Sequence, residues 1–463
     1  GMTIHGELWI DNVKLSPADN LNQNLIADSD FNLTKTPNGD YLGRFTTANF
    51  DENINFLKDL GIEPIVTQNF DMLRPMVLDP NDVNALEIAV LTDPEFENII
   101  QMNLDMIKYA NIEKNYGIKY WEFGNEPEIW WTWINSSYNY GIGAERNYKR
   151  GKLYGKMYSR FAGRAKNIDP SIKIGIAVPY LDNFSKPALD GFFDGVSEYE
   201  ALTDDSDPSM PVPKPDFFAP HPYQLRAWGD SPRCPANDTK TCIDNLFIFK
   251  NTANQPYCPD NSYVIQDWQG NAETISYLEP FFKCVTNYLK TRGISNIIYI
   301  PTEWQASGST GTPYGTFGSE IWTADRIGRF AKAGVFAPQN FNIGQFMITD
   351  SARVYSPYFV YFYYSKFLNS GNMNLLKTIT DDESQVTVYA FQKDSNSQLN
   401  LVIVNLGGNN GGANVKLNLP NKFETTARKI SLSCSGNNCI YNRNATEING
   451  YKIDTTDNAN LLN

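Results

Sequence analysis

Between about residue 45 and residue 350 the chain alternates amphipathic stretches of helical period with short apolar runs, and no other feature narrows its fold as much. The runs are Ile62–Phe70 (IEPIVTQNF), Ile118–Glu126 (IKYWEFGNE), Ile172–Val178 (IKIGIAV), Asp216–Tyr223 (DFFAPHPY), Ile297–Trp304 (IIYIPTEW) and Phe341–Ile348 (FNIGQFMI). The first follows the helix-like TTANFDENINFLKDLG, whose Gly61 is placed to cap it, and the second follows the long helical stretch DPEFENIIQMNLDMIKYANIEKNYG. Strands joined by helical crossovers build either a doubly wound parallel sheet or a closed barrel. The chain contains no GxGxxG and no phosphate-loop motif, so the barrel is the expectation.

After about residue 370 the pattern changes to period-two stretches, VTVYAFQKD, LNLVIVNLG and ANVKLNLP, separated by Gly/Asn turns such as GGNNGG. The opening GELWIDNVKLS alternates in the same way. The expected fold class is therefore α/β: a (β/α)8 barrel over residues 26–370, an accessory antiparallel β-sandwich over 371–463, and N-terminal strand material in 1–25 that joins the sandwich or ends a preceding carbohydrate-binding module. A full barrel needs two strands before Ile62, where only FNLTKTPNGDY and the weak QNLIADSDF are available. The first βα unit is expected to be shortened, rearranged or missing.

Charge and composition exclude several classes of function. With 52 acidic against 39 basic side chains the net charge is −13, which repels a phosphate backbone or an anionic lipid surface and leaves a neutral or cationic partner. No apolar run approaches the roughly 18 residues of a membrane span. Aromatic residues make up 13%, with 9 Trp and 26 Tyr, rings suited to stacking on sugars as well as to core packing. The six cysteines are even in number, and Cys434/Cys439 and Cys234/Cys242 bracket short loops while Cys258 and Cys284 remain; three disulfides and an oxidising, extracellular compartment are expected. Zinc is the alternative, disfavoured because there is no CxxC and only His5 and His221 are available. Sequons begin at Asn32, Asn135, Asn183, Asn237 and Asn444, as in a glycoprotein. No secretory leader is visible, and Gly1-Met2 reads as a remnant ahead of a mature or truncated start.

A barrel presents its chemistry at the C-terminal ends of its strands. Two apolar runs end in carboxylates there: Ile118–Glu126 closes on Gly124-Asn125-Glu126-Pro127, and Ile297–Trp304 closes on Thr302-Glu303-Trp304. Two glutamates held about 5 to 5.5 Å apart are what hydrolysis of a glycosidic bond with retention requires, one to protonate the leaving oxygen and one to attack the anomeric carbon; inversion needs about 6.5 to 9.5 Å. Around this pair stand further candidates for sugar contact: His221 and Tyr223 in APHPY, Asn69 with Gln68 at the end of the first run, Trp304 beside Glu303, and Trp130, Trp131 and Trp133 in EIWWTWIN. Core packing is the rival reading for each tryptophan, and a satisfied structural histidine the rival for His221. Glu122 shares strand parity with Glu126, which points it into the barrel, where a buried carboxylate needs a partner. Its expected role is structural.

WEFGNEP followed far downstream by IPTEW resembles the signature of glycoside hydrolase clan A. That resemblance implies a retaining (β/α)8 enzyme with Glu126 as acid/base at the end of strand four and Glu303 as nucleophile at the end of strand seven. It also implies Asn125 as a ligand of the sugar 2-hydroxyl, and His221 and Tyr223 as the polar and aromatic groups of strand six. MIKYANIEKNYGIKYWEFGNE and SEIWTADRIGRFAKAG are similar to the arabinofuranosidase and endoglucanase families 51 and 44 of the clan. The departures are that the Arg-x-Pro-Gly-Gly of those relatives has at best Lys35-Thr36-Pro37-Asn38-Gly39 here, and that the nucleophile strand matches neither family closely. The expected substrate is a neutral β-glycan of the cellulose or xyloglucan kind cut internally, with no cofactor and no metal, no nucleic-acid or membrane partner, by a monomer. An exo-acting α-L-arabinofuranosidase and a non-catalytic carbohydrate-binding protein on a decayed barrel are the alternatives.

Overall fold

A computed structural model of the chain describes residues 47–59, 63–68, 70, 83–127, 143–178, 186–202, 212–222, 238–247, 278–304, 316–339, 347–348, 353–354, 356–368, 373–393, 398–407, 416, 429–435, 438–441, 447–448 and 451–452. At its centre is a parallel sheet of β1 (Ile65–Thr67), β2 (Tyr120–Phe123), β3 (Lys173–Val178) and β4 (Phe217–Pro220), in that spatial order. The segment 298–300 continues it: Phe218 donates to Ile298 O at 2.9 Å and Ile300 donates to Phe218 O at 2.9 Å, a parallel bridge between Phe218 and Tyr299. Beyond that, Phe336 donates to Tyr299 O and Gln339 to Pro301 O. Spatial order follows chain order at every step, so there is no reversal of the kind that defines a doubly wound sheet. The expected strands before Ile62 lie outside the described residues. Of the run Phe341–Ile348, only Met347–Ile348 (β5) is described, and it pairs antiparallel with β6 (Arg353–Val354) rather than joining the parallel sheet.

The two faces of the sheet separate by strand parity. Trp121, Phe123, Ile174, Ile176, Val178 and Phe218 pack outward into the main apolar core with the helices. Ile65, Tyr120, Phe217, Ala219, Ile300 and Ala337 form a second, small apolar cluster on the opposite face. A barrel wall makes this division, with helices outside and a packed interior within.

The helices are α1 (Thr47–Asp59), α2 (Val83–Thr92), α3 (Pro94–Ile107), α4 (Gly143–Ile168), α5 (Lys186–Leu202), α6 (Thr239–Leu246), α7 (Leu278–Thr291), α8 (Phe317–Lys332) and α9 (Ser356–Leu368). Helix α3 widens into a π-turn over Lys108–Glu113. That turn brings Asn111 inward, where its amide pairs with the backbone of Ile118 in both directions at 2.8 Å and donates to Asp169 at 2.7 Å. A side chain imitating a strand thus sets where β2 begins, four residues from the loop that ends in Glu126. At the other end of β2, Tyr154 of α4 donates to Phe123 O at 2.6 Å and accepts from Ala177 N at 3.1 Å, tying the ends of β2 and β3 together.

Helices α4 and α5 approach backbone to backbone. A Cβ on Gly151 would lie 2.0 Å from Ala188 O, one on Gly155 2.1 Å from Phe192 O, one on Gly191 1.9 Å from Tyr148 O, and one on Gly195 2.2 Å from Lys152 O. Two reciprocal Gly-xxx-Gly pairs, one per helix, are therefore required by contact and not by turn conformation.

The C-terminal part contains two antiparallel three-stranded sheets among the described residues: β7 (Met373–Leu376), β8 (Val386–Lys393) and β9 (Leu399–Asn405), and β10 (Leu432–Ser433), β11 (Glu447–Ile448) and β12 (Tyr451–Lys452). β8 packs on α8, with the Tyr389 ring lying where a Cβ of Gly328 would be. The seam is polar at its heart. Asp325, with no exposure, accepts from Thr387 at 2.6 Å, Tyr389 at 2.5 Å and Arg329 at 2.7 Å, and Arg329 also reaches Glu279 at 3.2 Å. Cys434 and Cys439 sit with Cα atoms 5.9 Å apart, a disulfide separation, and Cys242 and Cys284 are disulfide-bonded to partners outside the described residues. No described helix is long and apolar enough to cross a membrane. The five sequons lie outside the described residues.

Candidate active site

The C-terminal ends of β2, β4 and the segment 298–300 bring Glu126, His221 and Glu303 together. After Phe123 the chain leaves the strand through two left-handed residues, Gly124 at φ 75° and Glu126 at φ 36°. For a glutamate this conformation is costly and is held only where the surroundings fix it. It turns the Glu126 carboxylate across the sheet to His221, whose Nδ1 lies 2.8 Å from Glu126 Oε1 and 3.5 Å from Glu303 Oε2. One side-chain atom from each of the three lies within 4.8 Å of the others. Glu126 and Glu303 keep partial exposure, with 18% and 20% of their side-chain surfaces open, while His221 is buried. Two partly exposed carboxylates thus stand beside one buried imidazole.

Beneath them lies a second polar group that strand parity places on the same face. Glu122, 1% exposed, accepts from Thr67 of β1 at 2.7 Å and from Thr302 at 2.9 Å. Thr302 Oγ1 is in turn 3.0 Å from His221 Nε2. Thr67 follows Ile65, Glu122 follows Tyr120, His221 follows Ala219 and Thr302 follows Ile300 at two-residue intervals, so a polar layer stands directly above the apolar one.

Burial sets the charge states in opposite senses. Burial is the largest influence on Glu122 and, with Glu303 nearby, pushes it from 4.5 up to about 7 against the pull of His221, Thr67 and Thr302. Burial also works against charge on His221, but Glu303, Glu126 and Glu122 outweigh it and hold the imidazole at about 10, above its ordinary 6.5. At neutral pH His221 is a cation with an N–H toward Glu126 and another toward Thr302.

The remaining sequence candidates divide into three groups. Asn125 is half-buried beside Glu126. Tyr223, Trp130, Trp131, Trp133 and Asn69, like the Lys35–Gly39 stretch, lie outside the described residues. Gln68 is fully buried. Trp304 is a correction: expected on the cleft wall, it is fully buried in the helix layer, its ring 5.1 Å from Phe330, 5.7 Å from Trp322 and 6.4 Å from Tyr361. It offers no face to a ligand. The backbone bends at Thr302 and Glu303, which breaks the alternation, brings Glu303 toward His221 and sends Trp304 the other way. Thr67 and Thr302 escaped the sequence reading as partners of Glu122; the signal that finds them is shared parity on adjacent strands.

No protein-family model matches the chain, and no curated protein does. Solved structures similar to it include an α-L-arabinofuranosidase from Thermotoga maritima in complex with arabinose, at 13% identity and TM-score 0.44 over 79% of this chain and 64% of that one. A xyloglucanase of glycoside hydrolase family 44 from Paenibacillus polymyxa is similar at 14% identity and TM-score 0.47, over 77% of this chain and 71% of that one. A family 44 endoglucanase from Clostridium thermocellum is similar at 16% identity and TM-score 0.42, over 65% of this chain and 58% of that one. The chain thus spans less than two thirds of the length of the arabinofuranosidase and the endoglucanase.

Proposed function

We propose that this chain is a retaining glycoside hydrolase in which Glu126 is the acid/base and Glu303 the nucleophile, acting on the β-glycosidic bonds of a neutral polysaccharide. The observation that carries the reading is the meeting of the two carboxylates, far apart in sequence, within 4.8 Å over His221. A nearest-atom separation of that size is compatible with the roughly 5 to 5.5 Å between the carboxyl groups of retaining pairs. The resemblance of WEFGNEP and IPTEW to clan A signatures supports the same division of roles.

In the reaction, protonated Glu126 gives its proton to the glycosidic oxygen as Glu303 attacks the anomeric carbon. The C–O bond to the leaving sugar breaks, and a glycosyl ester forms on Glu303. Glu126, now a carboxylate, takes a proton from water, whose oxygen displaces Glu303. His221, 3.5 Å from Glu303, favours the ionised nucleophile while its Nδ1 carries a proton. Asn125, beside Glu126, contacts the sugar hydroxyl next to the anomeric carbon in this reading, as the clan resemblance implies, and Tyr223, Asn69 and the tryptophans after Glu126 are its further sugar contacts. It carries with it a barrel over residues 26–370, a β-sandwich over 371–463 joined by residues 1–25, and a disulfide-bonded extracellular monomer.

Azide separates the two roles. In Glu303→Ala, azide attacks the substrate directly and the glycosyl azide has inverted configuration; in Glu126→Ala, azide displaces Glu303 from the glycosyl-enzyme and configuration is retained. Identical anomers from the two variants contradict the assignment. Substrate sizing completes the test: short oligosaccharides from β-glucan or xyloglucan indicate internal cleavage, and free arabinose from an aryl arabinofuranoside moves the reading to an exo enzyme.

A further inference from the structure

We infer that Glu122 is a positioning residue that, through Thr302, fixes the His221 ring with a hydrogen on Nε2 and leaves Nδ1 as the atom that faces Glu126 and Glu303. The inference rests on the reading of that pair as the reacting groups, but its structural content is independent of it.

The argument runs along one hydrogen-bonded chain. Once Glu122 is ionised its carboxylate only accepts, so Thr67 and Thr302 then each spend their hydroxyl hydrogen on it, at 2.7 Å and 2.9 Å. Thr302 then has only lone pairs to offer His221 Nε2 at 3.0 Å, and that nitrogen must carry hydrogen in either charge state of the ring. All exchange of charge by His221 is thereby confined to Nδ1, 2.8 Å from Glu126. When Nδ1 carries a proton it stabilises the Glu126 carboxylate; when it does not, it accepts from a protonated Glu126. The same two atoms pass through both arrangements as Glu126 alternates between acid and base.

The groups around the chain leave Glu122 in control of it. From β1 it meets Thr67; from β3 its register partner is Gly175, which has no side chain; from β4 it meets His221 at 3.9 Å; and from the segment after Ile300 it meets Thr302 and the charge of Glu303. His221 faces Glu122, Glu126 and Glu303, and Arg326 of α8 donates to the carbonyl of the next residue, Pro222, at 3.2 Å. No other described acid touches the ring. A purely structural carboxylate would satisfy its two threonines without affecting the imidazole beyond them.

The chain holds only two histidines, so a His5→Gln background leaves His221 as the sole source of imidazole signals in a ¹⁵N-labelled sample. The expected result is a ring protonated on both nitrogens at neutral pH that keeps its Nε2 hydrogen when it deprotonates at high pH. Glu122→Gln should lower that deprotonation midpoint by at least one pH unit with Nε2–H retained, and should move the basic limb of kcat/KM in the same direction. Thr302→Val should abolish the preference for Nε2–H, and Thr302→Ser should restore it. Folded Glu122→Gln and Thr302→Val proteins whose His221 titration and tautomer match the parent overturn the inference. If Glu122→Gln does not fold, the Thr302 pair decides alone. An inactive Glu303→Gln with an unmoved ring defeats this inference and leaves the functional reading intact; a moved ring with an active Glu303→Gln does the reverse.

Discussion

The state of single buried side chains decides how this site behaves with pH. Glu122 lies at about 7 in the folded chain against 4.5 ordinarily, and His221 at about 10 against 6.5. Both bind more protons folded than unfolded, so both contribute stability at low pH that declines as pH rises, Glu122 between about 4.5 and 7 and His221 between about 6.5 and 10. Replacing Glu122 with Gln removes the first contribution. The melting temperature of Glu122→Gln relative to the parent should therefore rise steadily from pH 4.5 to pH 8; a constant difference across that range contradicts the assigned burial. Residue-scale legibility in the sequence followed the strand ends. Glu126, Glu303 and His221 were readable because each follows an apolar run. Trp304 was misread because alternation stops at the Thr302–Glu303 bend, which no local pattern in IPTEW announces.

Elements are held in place here by close contact and by one buried polar seam, and each makes its own prediction. Gly191→Ala puts a methyl group 1.9 Å from the Tyr148 carbonyl oxygen, a backbone atom that moves only if the helices part. It should cost about 1–3 kcal/mol, read as a lower urea midpoint. Asp325→Ala leaves Arg329 buried with only Glu279, strips Thr387 of its acceptor and leaves Tyr389 only the residue-325 backbone carbonyl, at 3.0 Å in the parent. It should cost about 3–5 kcal/mol, and Tyr389→Phe about 1 kcal/mol. Unchanged urea midpoints in these variants contradict the packing described. The helical period made α1 and α3 legible, but not the π-turn that sets the start of β2, because Asn111 acts through a pairing with Ile118 that exists only once both are placed. Nor did the sequence show that the glycines of α4 and α5 face each other; their four-residue spacing within each helix was the available signal.

At the scale of the whole molecule, the repeated alternation of strand and helix was sufficient to indicate a parallel sheet with helical crossovers, and the change of period after residue 370 indicated antiparallel sheets. The sequence reading placed a parallel barrel strand at Phe341–Ile348, whereas the described wall continues through residues 336–339 and Met347–Ile348 turns antiparallel. The segment 336–339 holds Phe336, 43% exposed, next to Ala337 and Gln339, too mixed a stretch to read as a strand. The net charge of −13 predicts that polyuronates bind more weakly than neutral glycans of the same length, with the gap closing as salt screens the repulsion; stronger binding of the polyuronate at low salt contradicts this. The two-carboxylate reaction proposed uses no metal, so turnover should survive EDTA.

The measurement that tests the central claim most directly compares initial rates on soluble β-glucan and xyloglucan for the parent and Glu303→Gln, with circular dichroism confirming that both are folded. The account predicts turnover by the parent and a loss of about 10⁴-fold or more in the variant, as expected when a covalent nucleophile is removed. Turnover by folded Glu303→Gln at a rate near that of the parent would contradict it.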